Sequence, residues 1–183
     1  MSEEVFLVPR APVEPRQVEV ALSGLDVTAE EPEDGFLASW RLPGALVRIF
    51  DDPALHVVQL MVTGPDRDDV AARLRAVIPT FAPEDMPGLF AAVESRDHLV
   101  RLLGLLAALS PETADPALVA LYREGFGHAD ALVRMSAVLD ASVPGWPELR
   151  PDIERLAVAD EDERVRETAA TVLDVLDRRR ATG

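Results

Sequence analysis

The side chains best suited to acid–base or metal chemistry in this sequence are its carboxylates and its three histidines. His56, His98 and His128 are far apart, and no two have the i, i+4 spacing that places two imidazoles on one face of a helix. His98 and His128 stand 30 residues apart and would approach each other only if neighbouring repeats brought their loops together. We expect ordinary loop histidines and no metal site.

Neighbouring carboxylates occur at Asp51–Asp52, at Asp68–Asp69 and from Asp160 to Glu163. Each group stands at a predicted turn or helix start. Carboxylates at such positions accept hydrogen bonds from unpaired backbone N–H groups and interact favourably with the positive end of the helix dipole. The chain has no Cys, which removes thiolate nucleophiles and zinc sites built on cysteine. It also has no Gly-x-Ser-x-Gly and no phosphate-binding glycine loop. The sequence therefore predicts no catalytic residue and no cofactor, and hence a protein that is not an enzyme.

Composition narrows the class of protein further. The 183 residues include 33 acidic and 18 basic side chains, for a net charge of -15, and 48% are hydrophobic. That hydrophobic fraction predicts a folded chain, and the charge disfavours nucleic-acid binding, which needs stripes of Lys and Arg. We find neither a signal-peptide pattern nor an uninterrupted apolar run of about 18 residues, so we expect a cytoplasmic protein that does not bind membranes. Acidity favours a protein partner that is basic, or serves solubility alone.

The acidity is spread along the chain, and every basic residue is Arg. Residues 1–82 carry 14 acids and 7 arginines, and residues 83–183 carry 19 acids and 11 arginines. The absence of Lys and Asn is typical of a high-GC coding bias, so we expect a chain of actinobacterial type. This bias weakens any inference that each Arg was selected for two-pronged hydrogen bonding.

Residues 1–82 are predicted to form short strands, because short apolar runs are separated by clusters of Pro, Gly and Asp. Alternation within Phe36–Leu42 predicts a strand with one buried face, formed by Phe36, Ala38, Trp40 and Leu42. Apolar residues at helical spacing predict two helices, the second buried through Val70, Leu74, Val77 and Ile78. We predict a small antiparallel-sheet α+β module with the order strand, helix, four strands, helix: Val5–Val8, Glu14–Leu25, Asp26–Glu31, Phe36–Leu42, Ala45–Phe50, Leu55–Thr63 and Asp66–Ile78.

Residues 83–183 contain one pattern three times. The copies are Asp97, Val100 and Arg101, then Asp130, Val133 and Arg134, then Asp162, Val165 and Arg166. The Asp residues are 33 and 32 residues apart, and a small residue follows each Arg by three positions, at Gly104, Ala137 and Ala169. A near-constant period of this length is typical of a stacked array of repeats.

Each copy predicts the start of the second helix of a helical hairpin. The Asp would cap that helix, the Val would be buried, and the small residue would let helices approach closely. The Arg would reach an Asp or a backbone carbonyl of the neighbouring unit. The first helices of the three hairpins are predicted at Met86–Ser95, Pro116–Glu124 and about Leu149–Val158.

The Asp-x-x-Val-Arg pattern with its small residue resembles the short bacterial HEAT repeat, including the HEAT-like repeats related to phycobilisome-lyase proteins, over residues 85–175. Its period is shorter than the ~40 to 47 residues of most HEAT units. The resemblance implies a C-terminal α-solenoid of about three HEAT-like hairpins. It also implies a surface that binds other proteins and, in some relatives, nucleic acid.

Two features are candidates for partner binding. The acidic cluster Glu30, Glu31, Glu33 and Asp34 lies on a predicted loop, where it would dock a basic partner or merely solvate a turn. Trp146 lies in a loop between repeats, where an aromatic ring either plugs the junction of two hairpins or anchors a partner.

These observations favour a non-catalytic adaptor, in which the α+β module of residues 1–82 is joined to a HEAT-like domain of residues 83–183 that binds a protein partner. One alternative is an acidic immunity or inhibitor protein that neutralises a basic partner. A second alternative is a small-molecule binder or enzyme with a pocket between the sheet and the solenoid, formed around Trp40, His56 and Tyr122.

Overall fold

The computed structural model describes residues 4–53, 55 and 57–182, which contain five strands and eight α-helices. The predicted α+β class is confirmed. The chain divides into two compact units, Met1–Ala82 and Pro83–Gly183, and all five strands belong to the first. Among the described residues, no helix has both the length and the apolar character needed to cross a bilayer.

The first unit has one antiparallel sheet in the order β1-β5-β4-β3-β2. A tight turn at Pro43-Gly44 joins β3 to β4, because these two residues interrupt the apolar run. Asp51 and Asp52, which were predicted to form the next turn, are instead the last residues of β4. Its elements follow the order strand, helix, four strands, helix: β1 Glu4–Leu7, α1 Pro15–Ala21, β2 Thr28–Glu30, β3 Ala38–Leu42, β4 Ala45–Asp52, β5 Val57–Thr63 and α2 Arg67–Val77.

The core of this unit lies between one face of the sheet and the two helices. The period of two along β3 and β4 sends Trp40, Leu42, Val47 and Ile49 to the same face, where they are buried against Leu74 of α2. Helix α1 begins after a capping box in which Glu14 and Gln17 satisfy each other's backbone N–H groups.

Two expectations for this unit are wrong in detail. Phe36 precedes β3 and stacks edge-to-face on Phe50, with ring centroids 6.0 Å apart, rather than entering the core with Trp40. Val77 is 43% exposed, and Ala71 takes its place in the buried stripe of α2, because residues 70, 71, 74 and 78 share one face of the helix.

The second unit is helical throughout its described part. Its helices are α3 Met86–Ala92, α4 Arg96–Leu109, α5 Pro116–Phe126, α6 Ala131–Ala141, α7 Arg150–Ala159 and α8 Glu163–Thr182, with 3₁₀ turns at Pro83–Asp85 and Pro147–Leu149. Prolines stand in the first turn of α3, α5 and α7, where the missing N–H costs no helical hydrogen bond.

The even-numbered helices of this unit pack side by side, α4 on α6 and α6 on α8, while α5 packs on α3 and α7. Helices adjacent in sequence also pack, so that α3 contacts α4, α5 contacts α6 and α7 contacts α8. Close approach depends on small residues, since a Cβ added to Gly125 of α5 would lie 2.8 Å from the Cβ of Ala137 of α6. Ala137 is the small residue of the second repeat copy.

Candidate functional site

The repeated Asp residues have two different roles. Asp130 accepts a hydrogen bond from the N–H of Leu132 at 2.8 Å and caps α6, and Asp162 accepts one from the N–H of Arg164 at 2.9 Å at the start of α8. The expected cap at Asp97 is wrong. Ser95 caps α4, and Asp97 lies inside the first turn of that helix, because Ser95 is a good cap that precedes Asp97 by two residues.

The Arg of the second copy is the centre of a buried polar network. Arg134 is 6% exposed and donates two hydrogen bonds of 2.8 Å to the carboxylate of Asp160, in the turn between α7 and α8. Its Nη1 also donates to the carbonyl oxygens of His128 and Ala129, both at 2.9 Å. One side chain thus connects the α5–α6 turn to the α7–α8 turn.

The Arg of the third copy repeats half of this geometry. Nη1 of Arg166 donates to the carbonyl oxygens of Asp160 and Glu161 at 2.7 and 3.2 Å. These residues stand six and five positions earlier in the chain, as His128 and Ala129 do relative to Arg134. Arg101, in the first copy, is exposed. The valine of the first copy also differs from the other two. Val133 and Val165 are fully buried, whereas Val100 is half-buried.

The carboxylates of this network are held in the ionised form. Hydrogen bonds from the Arg134 side chain lower the pKa of Asp160 against the opposing effect of burial. At Asp162, hydrogen bonds from the side chain and backbone of Arg164 lower the pKa to about 2. Carboxylates that remain ionised at neutral pH cannot serve as general acids there, so the network is suited to holding the turns together.

Trp146 lies in the interior of the second unit. It is 2% exposed, its Nε1 donates to the carbonyl oxygen of Pro111 at 2.9 Å, and its ring meets Tyr122 edge-to-face with centroids 6.0 Å apart. Burial raises the pKa of Tyr122, whose hydroxyl lies 3.3 Å from that of Ser110. Trp146 therefore plugs the core, and its assignment as a partner-binding residue is corrected because its indole ring is covered.

The acidic cluster of the first unit is partly neutralised by arginines of the sheet. Glu30 forms a two-pronged pair with Arg41, and Glu33 accepts a hydrogen bond from Arg48 at 2.8 Å. The remaining members, Glu31 and Asp34, are exposed. Half of the predicted basic-partner surface is thus engaged within the unit, which weakens the support for an inhibitor of a basic partner.

Both histidines that the structure describes, His98 and His128, lie in the second unit. His128 accepts the N–H of Asp130 on Nδ1 at 3.0 Å, His98 is exposed, and His56 lies outside the described residues. Trp40 is buried in the core of the first unit, as Tyr122 is in the second. No group of three or more metal-ligating side chains occurs in residues 4–53, 55 and 57–182.

One surface feature was missed by sequence reasoning. Leu132 and Leu139 of α6, with Val143 just beyond its C-terminus, are 39%, 48% and 46% exposed. Their spacing of seven and four residues places them along one side of the helix, with the half-buried Met135 beside them. We call these four residues the α6 stripe. The helical spacing was visible in the sequence, but it did not distinguish an exposed stripe from a buried one.

The α6 stripe does not continue as an apolar surface onto α8. The positions of α8 that correspond to Leu132 and Leu139 are Arg164 and Thr171, which are exposed and polar. At the position of Leu132, α4 carries the half-buried Leu99. The α6 stripe is therefore bordered by polar side chains on the α8 side.

Comparisons of the chain with profiles of known families, with curated proteins and with solved structures give no match.

Proposed function

We propose that this chain is a non-catalytic, cytoplasmic adaptor whose second unit is a short solenoid of three HEAT-like hairpins that binds a protein partner. The pairs α3/α4, α5/α6 and α7/α8 are the hairpins. The side-by-side packing of α4, α6 and α8 supports this assignment, as does the shared capping by Asp130 and Asp162.

The α6 stripe carries the proposal. Single exposed apolar residues are common on protein surfaces, but a contiguous row at helical spacing is typical of a surface that another protein covers. The row lies on the central helix of the layer, with α4 on one side and α8 on the other. A partner that lies across this layer would bury Leu132, Leu139 and Val143 together.

The distribution of charge also favours binding over catalysis. The most buried ionic group of the second unit, the Arg134–Asp160 pair, is engaged in hydrogen bonds to turns of the scaffold. Buried titratable groups that lie in a cleft and lack a structural role are the usual marks of an active site. The ion pairs Arg134–Asp160 and Arg150–Asp177 instead join different elements of the scaffold.

The test is affinity capture from a native lysate with matched variants. The face variant replaces Leu132 and Leu139 together with Asp, which places two charges in the proposed interface. The control variant Val158→Asp makes the same kind of change at a residue of α7 that is 83% exposed. We expect the wild type and the control to retain the same partner and the face variant to lose it.

Two results would overturn the assignment of this surface. One is a partner retained by the face variant at the wild-type level, and the other is a partner lost on Val158→Asp alone. Circular dichroism and urea unfolding of both variants verify that any loss of binding occurs in a folded protein. This check is needed because Leu132 and Leu139 are only 39% and 48% exposed, so Asp at these positions also removes packing.

A further inference from the structure

A cleft on the first unit brings two arginines together. It has a volume of about 490 Å³ and is lined by Glu4, Arg48, Met61, Thr63, Gly64 and Arg67. Arg48 is opposite Met61 in the register of β4 and β5, so both residues lie on the sheet face turned away from the core. Arg67 is the first residue of α2 and reaches the same cleft from the end of β5.

The guanidinium of Arg48 has unused hydrogen-bonding capacity. Its Nη2 donates to Glu33 at 2.8 Å, and its central carbon lies 4.5 Å from the ring centroid of Phe36. Its Nε is buried and has no acceptor in the described part of the chain. A buried N–H without an acceptor is unusual in a folded protein. Because this Nε is covered, a ligand in the cleft would meet the 17% of the Arg48 side chain that remains exposed.

Carboxylates among the described residues only weakly compensate the positive charge of Arg67. Its side chain is 21% exposed, and it pairs with Asp68 at 4.0 Å, the outer limit of an ion pair. Its Nη1 donates to the carbonyl oxygen of Gly64 at 3.3 Å. Gly64 has a φ of 105°, and a Cβ there would lie 2.6 Å from the carbonyl oxygen of Gly44, so only glycine fits this corner of the cleft.

We propose that Arg48 and Arg67 together bind the anionic group, a carboxylate or a phosphate, of a small molecule in this cleft. Two planar guanidinium groups match the oxygens of either anion, and part-buried arginines interact more strongly with an anion than solvated ones do. Thr63 adds a hydroxyl donor, and Met61 supplies an apolar wall for the remainder of the ligand. This site is independent of the α6 stripe and of the adaptor function.

The acidic side chains around the cleft set its selectivity. Glu4 lines the cleft and Glu33 pairs with Arg48, so a polyanion would meet repulsion at two points. A single anionic group would meet less repulsion from these carboxylates than a polyanion would. The first unit is acidic overall, which further favours a small ligand over nucleic acid.

The experiment is a titration of the ¹⁵N-labelled full-length chain with sodium phosphate and, separately, with sodium acetate. Ionic strength is kept constant with sodium chloride, and NMR follows the Arg Nε–H signals and the backbone signals of residues 63, 64 and 67. We expect saturable shifts with at least one anion. Arg67→Gln should weaken binding about 10-fold, which corresponds to about 1.4 kcal/mol.

Matched variants separate this site from general charge effects. Arg75→Gln removes an exposed arginine of the same helix and should bind like the wild type. Arg48→Lys keeps the charge but loses the planar fork, so it should also weaken binding without unfolding the protein. Saturation with phosphate alone identifies a phosphate ligand, and saturation with acetate alone identifies a carboxylate. Absence of saturation with both anions, or equal weakening by Arg75→Gln and Arg67→Gln, would overturn the proposal.

Discussion

Arg134 and Asp160, 26 residues apart in the sequence, form a buried two-pronged ion pair with both hydrogen bonds at 2.8 Å. The two side chains are 8% and 4% exposed. Because Arg134 also binds the carbonyl oxygens of its own turn, the pair connects the α5–α6 turn to the α7–α8 turn. One guanidinium thus links helices α5 and α6 to helices α7 and α8, in addition to the packing of α6 on α8.

Replacement of Arg134 by Met should destabilise the protein by about 3 to 5 kcal/mol, because it leaves the Asp160 carboxylate buried without its partner. The measurement is the free energy of unfolding in urea at neutral pH. The double variant Arg134→Met, Asp160→Leu should recover part of the loss, since it removes the uncompensated charge as well.

The control for this prediction is Arg101→Met, at the corresponding position of the first repeat copy. Arg101 is exposed, so its replacement should change the free energy of unfolding by no more than about 0.5 kcal/mol. Equal effects of the two single substitutions would show that the buried pair has no special structural role.

Stability should fall as the pH is lowered from 5 to 2. The pKa values of Asp160 and Asp162 are lower in the folded state than the ordinary value of about 3.9 for an unfolded chain. The two ionised carboxylates therefore contribute fully to the stability of the fold when the pH is well above about 3.9. This contribution is lost as the pH falls through the pKa of each group in the folded protein, which is about 2 for Asp162. Urea unfolding across this range measures the loss.

Asp162→Asn isolates the contribution of one group to that pH dependence. Asn is as good a helix cap as Asp but does not titrate, so the variant should lose less stability between pH 4 and pH 2 than the wild type does. An unchanged slope in the variant would show that the hydrogen bonds from Arg164 do not lower the pKa of Asp162.

Trp146→Ala should destabilise the protein by about 3 to 5 kcal/mol, because it empties a volume in the packed interior. Trp146→Phe should cost less, since it keeps most of the ring but leaves the carbonyl oxygen of Pro111 without its donor. Both substitutions should leave the affinity of the folded protein for a partner unchanged. A Trp146→Ala protein of wild-type stability that has lost its partner would show that the indole ring is an anchor instead.

Gly125→Ala and Gly88→Ala test the close approach of α5 and α6. Both glycines are helical, but a Cβ at position 125 would collide with Ala137, whereas one at position 88 meets nothing within 4 Å. We expect Gly125→Ala to destabilise by about 1 to 3 kcal/mol and Gly88→Ala to stabilise by up to about 1 kcal/mol. Thermal unfolding of the two variants measures the difference, and a stabilising Gly125→Ala would contradict the proposed packing.

Local patterns in the sequence predicted the α+β class because strand alternation and helix capping each depend on residues close together in the chain. The period of two in a strand predicted the buried Trp40 and Leu42 of β3, although Ser39 on the other face is buried too. The recurring Asp at positions 130 and 162 followed from the need of a helix start for a hydrogen-bond acceptor. The same reasoning was wrong at Asp97, where Ser95 competes for the capping position. Two good caps within three residues cannot be ranked from sequence alone.

The candidate site was harder to predict because it depends on long-range packing. The sequence indicated that each repeat Arg would reach an Asp or a carbonyl group, but not that Arg134 would select Asp160. The α6 stripe could not be predicted either, because its exposure also depends on packing between helices. Leu132 and Leu139 have the spacing of core residues, and only the packing of α4 and α8 against α6 shows which side of the helix remains exposed.

Photo-crosslinking from the α6 stripe tests the adaptor proposal most directly. A photoreactive amino acid is placed at Leu139, and in a separate protein at Val158 of α7, and each protein is irradiated in native lysate before mass spectrometry. We expect the captured partner to crosslink from position 139 and not from position 158. A partner that crosslinks only from position 158, or that is captured without any crosslink from position 139, would contradict binding through the α6 stripe.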